Sequence, residues 1–195
     1  MRSPYNYIIK PKGKRYKNSI DVDGKSLILN TEIFNHQYVN REAEIISTPS
    51  ASSSELNIGD TVIVHHNVFR RWHNIKGKEK NSKAYKENMY FVSEDQKFAY
   101  KRLQNWSRFK QSKWCALKGY CFIKPIKCKD KFSTEEEALI GVVKYTDGSV
   151  NVGDLVGFTP NSKYEFIIDG QRLYRVYSKF ITIKYEYQGD EEEYN

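Results

Sequence analysis

The chain has 195 residues, of which 39% are hydrophobic, 29% charged and 14% aromatic, which is enough apolar material for one large or two small domains with a real core. The formal net charge of +8 is uneven, because residues 1–120 have 22 Lys/Arg against 11 Asp/Glu and residues 121–195 have 10 against 13. No apolar run reaches the roughly 20 residues of a transmembrane helix, and the first residues lack the apolar block of a secretory signal. A membrane-inserted or secreted protein is therefore disfavoured, and a cytoplasmic location is expected.

Short runs rich in β-branched and aromatic residues recur along the chain, separated by turn-forming clusters. In chain order they are YNYIIK, AEIIS, DTVIVHH, MYFV, FAYKR, GYCFIK, IGVVKY, DLVGF, YEFIID, RLYRVY and FITIKYEY. One stretch, STEEEAL at 133–139, opens like a helix capping box. The sequence predicts an all-β protein, built as an antiparallel barrel or sandwich.

The chain contains an internal repeat of four blocks in the same order. The first copy has Ile9-Lys10-Pro11, Glu44-Ile45-Ile46, LNIGDTVIV (56–64) and MYFVSEDQKFAYK (89–101). We align them with Ile123-Lys124-Pro125, Gly141-Val142-Val143, VNVGDLVGF (150–158) and LYRVYSKFITIKY (173–185). Chance is a poor explanation for an ordered set of this length, so the sequence predicts two related domains.

The spacing of the blocks shows where the two copies differ. The first copy has extra residues both before its Gly-Asp turn at Gly59-Asp60 and after it. We therefore predict a first barrel at 1–102 with a loop at 12–31 and an insertion at 65–88. A connector at 103–118, a second barrel at 119–187 and an acidic tail at 188–195 complete the chain.

The order of these elements resembles the GroES-type co-chaperonin (chaperonin-10) fold. The resembling elements are Tyr7–Lys10, the polar loop 12–31 with Leu27-Ile28-Leu29, Arg41–Ile46, the turn and strand Leu56–Val64, and Ser93–Tyr100. The second copy matches in GYCFIK, ALIGVVKY, VNVGDLVGF and the segment from FIIDG to the end of its last strand. Both copies show the resemblance, and together they account for most of the chain. The resemblance implies two tandem GroES-like β-barrels. The divergence and long insertions are typical of a viral, bacteriophage-type version.

In this family the first loop docks through a short apolar segment into a groove on a GroEL-type chaperonin ring. The resemblance therefore implies that Leu27, Ile28 and Leu29 bind a chaperonin. Residues 12–26 are polar and contain two glycines, which predicts a flexible arm. The alternative is that Leu27–Leu29 is a core strand that follows a surface loop.

The second copy lacks this apolar tripeptide, since its corresponding stretch is KCKDKFSTEEEAL at 127–139. Only the first copy is therefore expected to contact a chaperonin. The resemblance also implies a homo-oligomeric ring, a heptamer in this family, that encloses folding substrates. ATP would be required by the chaperonin and not bound by this chain. A third possibility is that the chain keeps the fold but has lost chaperonin binding.

The insertion between the strands at Val64 and Met89 is strongly basic and aromatic. It has seven Lys/Arg against one acid between residues 70 and 86. The candidate contact residues are Phe69, Arg70, Arg71, Trp72, Lys76, Lys78 and Lys80. Basic and aromatic side chains together are typical of single-stranded nucleic-acid binding, which gives the alternative function of a nucleic-acid-binding or virion-structural β-barrel. The other interpretation follows from the resemblance. The insertion occupies the position of the hairpin that covers the opening of the dome-shaped ring in co-chaperonins, and would be a charged loop there.

Catalytic and metal-binding chemistry has little support in the sequence. Cys115, Cys121 and Cys128 have no CxxC spacing, so neither a disulfide framework nor a zinc site is predicted. His65 and His66 are adjacent on a predicted strand and should point to opposite faces. No nucleophile motif or phosphate-binding glycine loop is present, so we expect a non-enzyme without cofactor or metal.

Overall fold

The computed structural model describes residues 2–17, 19–28, 38–102, 112–128 and 135–186. The chain divides into two compact units, unit 1 (1–113) and unit 2 (114–195). Antiparallel strand pairs build both units, which confirms the prediction of an all-β chain. In the described part of the chain, no helix is long and apolar enough to cross a bilayer.

Unit 1 is built on a sheet in which strands distant in sequence are neighbours. Its strands are β1 (Tyr7–Pro11), β2 (Ser19–Val22), β3 (Lys25–Ile28), β4 (Glu42–Ser47), β5 (Thr61–Val64), β6 (Trp72–His73), β7 (Glu79–Lys80), β8 (Ala84–Lys86), β9 (Met89–Val92) and β10 (Lys97–Lys101). The main sheet has the order β10-β5-β4-β1-β9-β8, while β2-β3 and β6-β7 form separate hairpins. Both hairpins belong to the segments that the repeat comparison identified as extra.

Unit 2 has the same sheet without the two hairpins. Its strands are β11 (Trp114–Ala116), β12 (Tyr120–Lys127), β13 (Glu136–Thr146), β14 (Leu155–Phe158), β15 (Tyr164–Ile168), β16 (Gln171–Tyr177) and β17 (Ile181–Tyr185). The sheet order is β17-β14-β13-β12-β16-β15, which is the order of unit 1 strand for strand. In the described pairings the edge strands of neither sheet pair with each other, so closure into barrels stays a prediction.

The registers of the two sheets also coincide. Ile9 pairs with Ile45 and Tyr90, and Ile123 pairs with Val143 and Tyr174. A β-bulge precedes Ile9 and Ile123 at the same position of each strand. The internal repeat is therefore also a repeat of strand pairing.

One block of the sequence alignment is wrong by one residue. The structure aligns Ile45 with Val143, and so Glu44-Ile45-Ile46 with Val142-Val143-Lys144 rather than with Gly141-Val142-Val143. Side chains alternate between the faces of a strand, so a slip of one residue would move the fully buried Ile45 to the opposite face. Burial decides this register, which the letters EII and GVV do not reveal by themselves.

The same six positions form the centre of both units. In unit 2 these buried residues are Ile123, Val143, Val156, Phe158, Tyr174 and Val176. Their counterparts in unit 1, all at most 4% exposed, are Ile9, Ile45, Val62, Val64, Tyr90 and Val92. The shared pattern of apolar residues thus specifies one core twice.

The Gly-Asp turns explain why the two most similar blocks are so alike. Gly59 and Gly153 have φ values of 90° and 92°, which glycine adopts at no steric cost. The carboxylates of Asp60 and Asp154 accept hydrogen bonds from backbone N–H groups three residues earlier, at 2.8 and 2.9 Å. Each turn needs both residue types, which accounts for their presence in both copies.

The one stretch that resembles a helix start, STEEEAL at 133–139, is not helical where the structure describes it. Residues 136–139 begin strand β13, and Glu136 pairs with Lys127 on β12. The N–H of Cys128 also donates to the carbonyl of Glu135, at 3.0 Å. The neighbouring strand thus supplies the backbone partners that a helix of two turns would have to find within itself.

Two further predictions fall partly or wholly outside the described residues. Of the connector 103–118, the structure describes 112–118, and these include strand β11 with its buried Trp114. The Trp114 indole N–H donates to the Asp169 carboxylate at 2.9 Å. The acidic tail 188–195 lies outside the described residues.

Candidate functional site

The first insertion of unit 1 forms a hairpin. Strand β2 pairs with β3 through a two-residue turn at Asp23-Gly24, whose φ values of 49° and 76° are typical of a type I′ turn. The polar sequence predicts a flexible arm here. The structure instead has a hairpin, because the turn and the strand ladder satisfy the backbone of an otherwise polar segment.

Two of the three predicted docking residues lie on this hairpin. Leu27 is 54% exposed and Ile28 is 62% exposed, although both are large aliphatic side chains. The alternative that they belong to a core strand is wrong for these two residues, whereas Leu29 lies outside the described residues. The hairpin therefore presents apolar surface to solvent.

The base of the same insertion is fixed to the second insertion by hydrogen bonds. The guanidinium of Arg15 donates to the carbonyl of Phe69 through Nε and Nη2, at 3.1 and 2.9 Å, and to the Glu79 carboxylate at 2.6 Å. The buried Tyr16 accepts a hydrogen bond from the N–H of Arg71 at 2.8 Å. The two insertions are thus one structural module on unit 1, which the sequence did not reveal.

Glu79 is the electrostatic centre of this module. Its carboxylate lies 2.6 Å from Arg15 Nη1 and 3.8 Å from Arg71 Nε. The hydrogen bond from Arg15 is the main reason that the pKa of Glu79 lies below its ordinary value. The one acidic residue among the basic residues 70–86 is therefore already neutralised by two arginines.

The predicted contact residues of the second insertion divide into buried and exposed members. Phe69 is fully buried, because its ring packs edge-to-face against Tyr90 with centroids 5.0 Å apart. It is a core residue, and its prediction as a contact residue is wrong. The guanidinium of Arg70 stacks over the Trp72 ring at 4.2 Å from the centroid, and Trp72 is 45% exposed.

The tip of the second insertion is a tight turn that carries the lysines. Asn74 accepts hydrogen bonds from the N–H groups of Lys76 and Lys78 on its side-chain oxygen, at 3.0 and 2.9 Å. Its own N–H donates to the carbonyl of Lys78 at 3.0 Å. Lys76, Lys78 and Lys80 are all exposed. The turn therefore holds three lysines on one short hairpin.

The histidines of this region are arranged differently from the prediction. Strand β5 ends at Val64, and His65 caps the 3-10 helix His66–Val68 by accepting a hydrogen bond from the N–H of Asn67 at 3.2 Å. The rings of His65 and His66 therefore stack, with centroids 4.3 Å apart, instead of facing opposite ways. Among the described residues, no group of three His, Cys, Asp or Glu could hold a metal ion.

Unit 2 has a charged cluster around the tyrosine that corresponds to Tyr90. Tyr174 donates a hydrogen bond to the Glu136 carboxylate at 2.5 Å, and Lys163 and Arg172 lie 2.6 and 3.3 Å from the same group. Partial burial raises the pKa of Glu136, but hydrogen bonds from Lys163 and Tyr174 outweigh it and leave the pKa below its ordinary value. This cluster links the start of β13 to β16 and to Lys163, which directly precedes β15.

A buried lysine in unit 1 was not foreseen from the sequence. Lys97 is 1% exposed, forms an ion pair with Glu94, and lies with its ammonium 3.5 Å from the centroid of the Tyr7 ring. Burial lowers the pKa of Lys97. The corresponding position of unit 2 is Ile181, so this polar contact replaces an apolar one and is a structural feature of unit 1.

No protein-family model matches the chain, and no curated protein matches it significantly.

Proposed function

We propose that the protein is a co-chaperonin of the GroES type, which caps the ring of a GroEL-type chaperonin and encloses folding substrates. The observation that carries the proposal is the exposure of Leu27 and Ile28 on a hairpin inserted between β1 and β4. The repeated sheet order supports the arrangement as two tandem GroES-like barrels. The protein acts in this proposal without enzymatic activity of its own, and the chaperonin supplies the ATP hydrolysis.

The energetics suit reversible docking. Burial of a Leu or Ile side chain contributes roughly 1.5–3 kcal/mol, so two such side chains give a weak contact for each hairpin. The paired strands β2 and β3 reduce the conformational entropy that binding would otherwise cost. Repetition of the hairpin around a homo-oligomeric ring, proposed as a heptamer, would multiply weak contacts into a stable cap.

Unit 2 has a different role in this proposal. The corresponding stretch of its sequence, KCKDKFSTEEEAL at 127–139, has no apolar tripeptide. The proposal therefore assigns chaperonin binding to unit 1 and the wall of the enclosed chamber to unit 2. The proposal locates the protein in the cytoplasm with its chaperonin, in the host cytoplasm if the protein is viral.

The test is retention of the full chain on an immobilised chaperonin ring in the presence of ATP. Ile28→Asp introduces a charge where the proposed groove is apolar and should abolish retention. Ile167→Asp is the matched control, because Ile167 in unit 2 is 66% exposed and carries the same substitution. Equal retention of wild type and Ile28→Asp, or retention of neither, would contradict the proposal.

Native mass measurement is an independent test. A ring of identical copies supports the proposal, whereas a monomer at the concentrations used for retention would argue against a cap with repeated hairpins.

A further inference from the structure

We propose that the β6–β7 hairpin of unit 1, together with the start of β8, binds single-stranded nucleic acid. The site consists of the exposed indole of Trp72 as a stacking surface and the lysines of the hairpin as phosphate contacts. This function is independent of the chaperonin contact, which the β2–β3 hairpin provides.

Trp72 has the geometry of a stacking platform. The guanidinium of Arg70 stacks on the indole at 4.2 Å from the centroid, while 45% of the residue stays accessible. A cation that stacks on an aromatic ring fixes its orientation. Bases stack on such rings with little sequence preference, because every base has a π-face. A large ring that is held in place but not buried is a poor core residue and a good base contact.

An open depression beside the indole provides space for a base. It has a volume of about 800 Å³ and is lined by Trp72, Glu79, Lys80, Asn81, Ser82 and Ala84. The amide of Asn81 donates to the carbonyls of Val68 and Arg70, at 3.1 and 3.3 Å. The floor is therefore fixed to the 3-10 helix and to the residue that stacks on Trp72, so the depression is preorganised rather than formed on binding.

The charge around the depression is positive and uncompensated. Glu79 is held by Arg15 and Arg71, so it does not pair with the lysines of its own hairpin. No ion pair involves Lys76, Lys78 or Lys80 within the described residues. Lysines so placed release counterions when they contact phosphates, which drives nucleic-acid binding.

Single strands fit these observations better than the two other anionic partners. The carboxylates of an acidic polypeptide would contact the lysines but offer no aromatic ring to stack on Trp72. A duplex would cover the lysines but keeps its bases stacked on each other, out of reach of the indole. A flexible strand offers phosphates and unstacked bases together.

Fluorescence anisotropy with a labelled oligothymidylate of about 12 nucleotides tests the proposal on the full chain. Trp72→Ala should weaken binding about 10-fold, and Trp72→Phe, which keeps an aromatic face, by less than about threefold. The double variant Lys76→Glu/Lys78→Glu should weaken binding and reduce the slope of log affinity against log salt by roughly 1.4. Lys118→Glu, an exposed lysine of unit 2, is the control and should leave binding unchanged.

Three outcomes would overturn the proposal. These are no binding at about 50 mM salt, equal binding by wild type and Trp72→Ala, and binding of polyglutamate as tight as that of the oligonucleotide. The last result would make the hairpin a site for acidic polypeptides. Retention of Trp72→Ala on the chaperonin ring should equal that of wild type, so failure here is distinguishable from failure of the co-chaperonin proposal.

Discussion

Units 1 and 2 have the same sheet but differ strongly in charge. Strand order, registers, the bulge before Ile9 and Ile123, and the Gly-Asp turn are common to both. Unit 1 has 21 Lys/Arg against 11 Asp/Glu, whereas unit 2 has 11 against 13. The difference in charge lies outside the six core positions, none of which has a charged side chain. The repeated core therefore supports the fold, and the insertions provide the surfaces that are specific to unit 1.

The two insertions also differ from each other in chemistry. The first exposes the aliphatic side chains Leu27 and Ile28, and the second exposes lysines and an indole. Unit 2 has neither insertion, and Ile167, one of its exposed aliphatic residues, lies on β15 of its main sheet. The charged residues around Glu136 in unit 2 pair with one another. Comparing the two units thus identifies the surfaces of the insertions, which the shared sheet does not require.

The largest expected effect comes from truncating the shared core. Ile9→Ala and Ile123→Ala remove the same side chain from corresponding, fully buried positions. Each should lower the free energy of unfolding by about 2–5 kcal/mol, with loss of hydrogen-exchange protection confined to its own unit. Mass-spectrometric hydrogen exchange and urea denaturation measure both quantities.

Ile167→Ala is the control for this pair, because Ile167 is largely exposed and its truncation should change stability by less than about 0.5 kcal/mol. If Ile9→Ala left exchange in unit 1 unchanged, the equivalence of the two cores would be wrong.

A smaller effect distinguishes the units at one position where they differ by a methyl group. Ala43 in unit 1 corresponds to Gly141 in unit 2, opposite the proline of each first strand. A Cβ at Gly141 would clash with the carbonyl of Lys124 and lie 2.6 Å from Ile123 Cγ2. Gly141→Ala should therefore destabilise unit 2 by about 1–3 kcal/mol, whereas Ala43→Gly should cost unit 1 about 0.5–1 kcal/mol.

Urea denaturation of the two variants measures the difference. A larger loss for Ala43→Gly than for Gly141→Ala would show that β12 does not approach β13 as closely as described.

The smallest expected effect is the pH dependence of the Glu136 cluster. The pKa of Glu136 is depressed in the folded protein, so its stabilisation is present above its ordinary value of 4.5 and is lost as the pH falls through the folded pKa. Because the group is partly exposed, Glu136→Gln should cost no more than about 1 kcal/mol at neutral pH. The difference from wild type should shrink as the pH falls below 4.5, as measured by denaturation at neutral and at acid pH. A difference that grows at acid pH would contradict this sign.

The sequence predicted eleven strands of the two main sheets but none of the strands within the insertions. All eleven β-rich runs lie on strands of the two main sheets, because their alternating apolar residues face a core. Of the strands β2, β3, β6, β7 and β8, only β2 alternates polar and apolar residues. The pairing within the two hairpins depends on turn residues such as Asp23-Gly24 and Asn74. These strands are also the ones that make up the candidate sites.

The candidate sites could be located from the sequence but not interpreted side chain by side chain. An apolar tripeptide such as Leu27–Leu29 reads the same in a core strand and on a solvent-exposed hairpin, and the structure decides for Leu27 and Ile28. Phe69 is the opposite case, because two arginines follow it in the sequence while its ring packs on Tyr90 in the core. The contact of Arg15 with Phe69 joins residues 54 positions apart, and no local pattern encodes it.

The contact between Arg15 and Phe69 limits how the insertions could be transferred from unit 1 to unit 2. Transplanting only the first insertion into unit 2 would deprive Arg15 of the Phe69 carbonyl and Tyr16 of the Arg71 N–H. Transplanting only the second would leave Glu79 without Arg15. A functional graft must therefore carry both segments, and a lineage that lost one of them would be expected to discard the other soon afterwards.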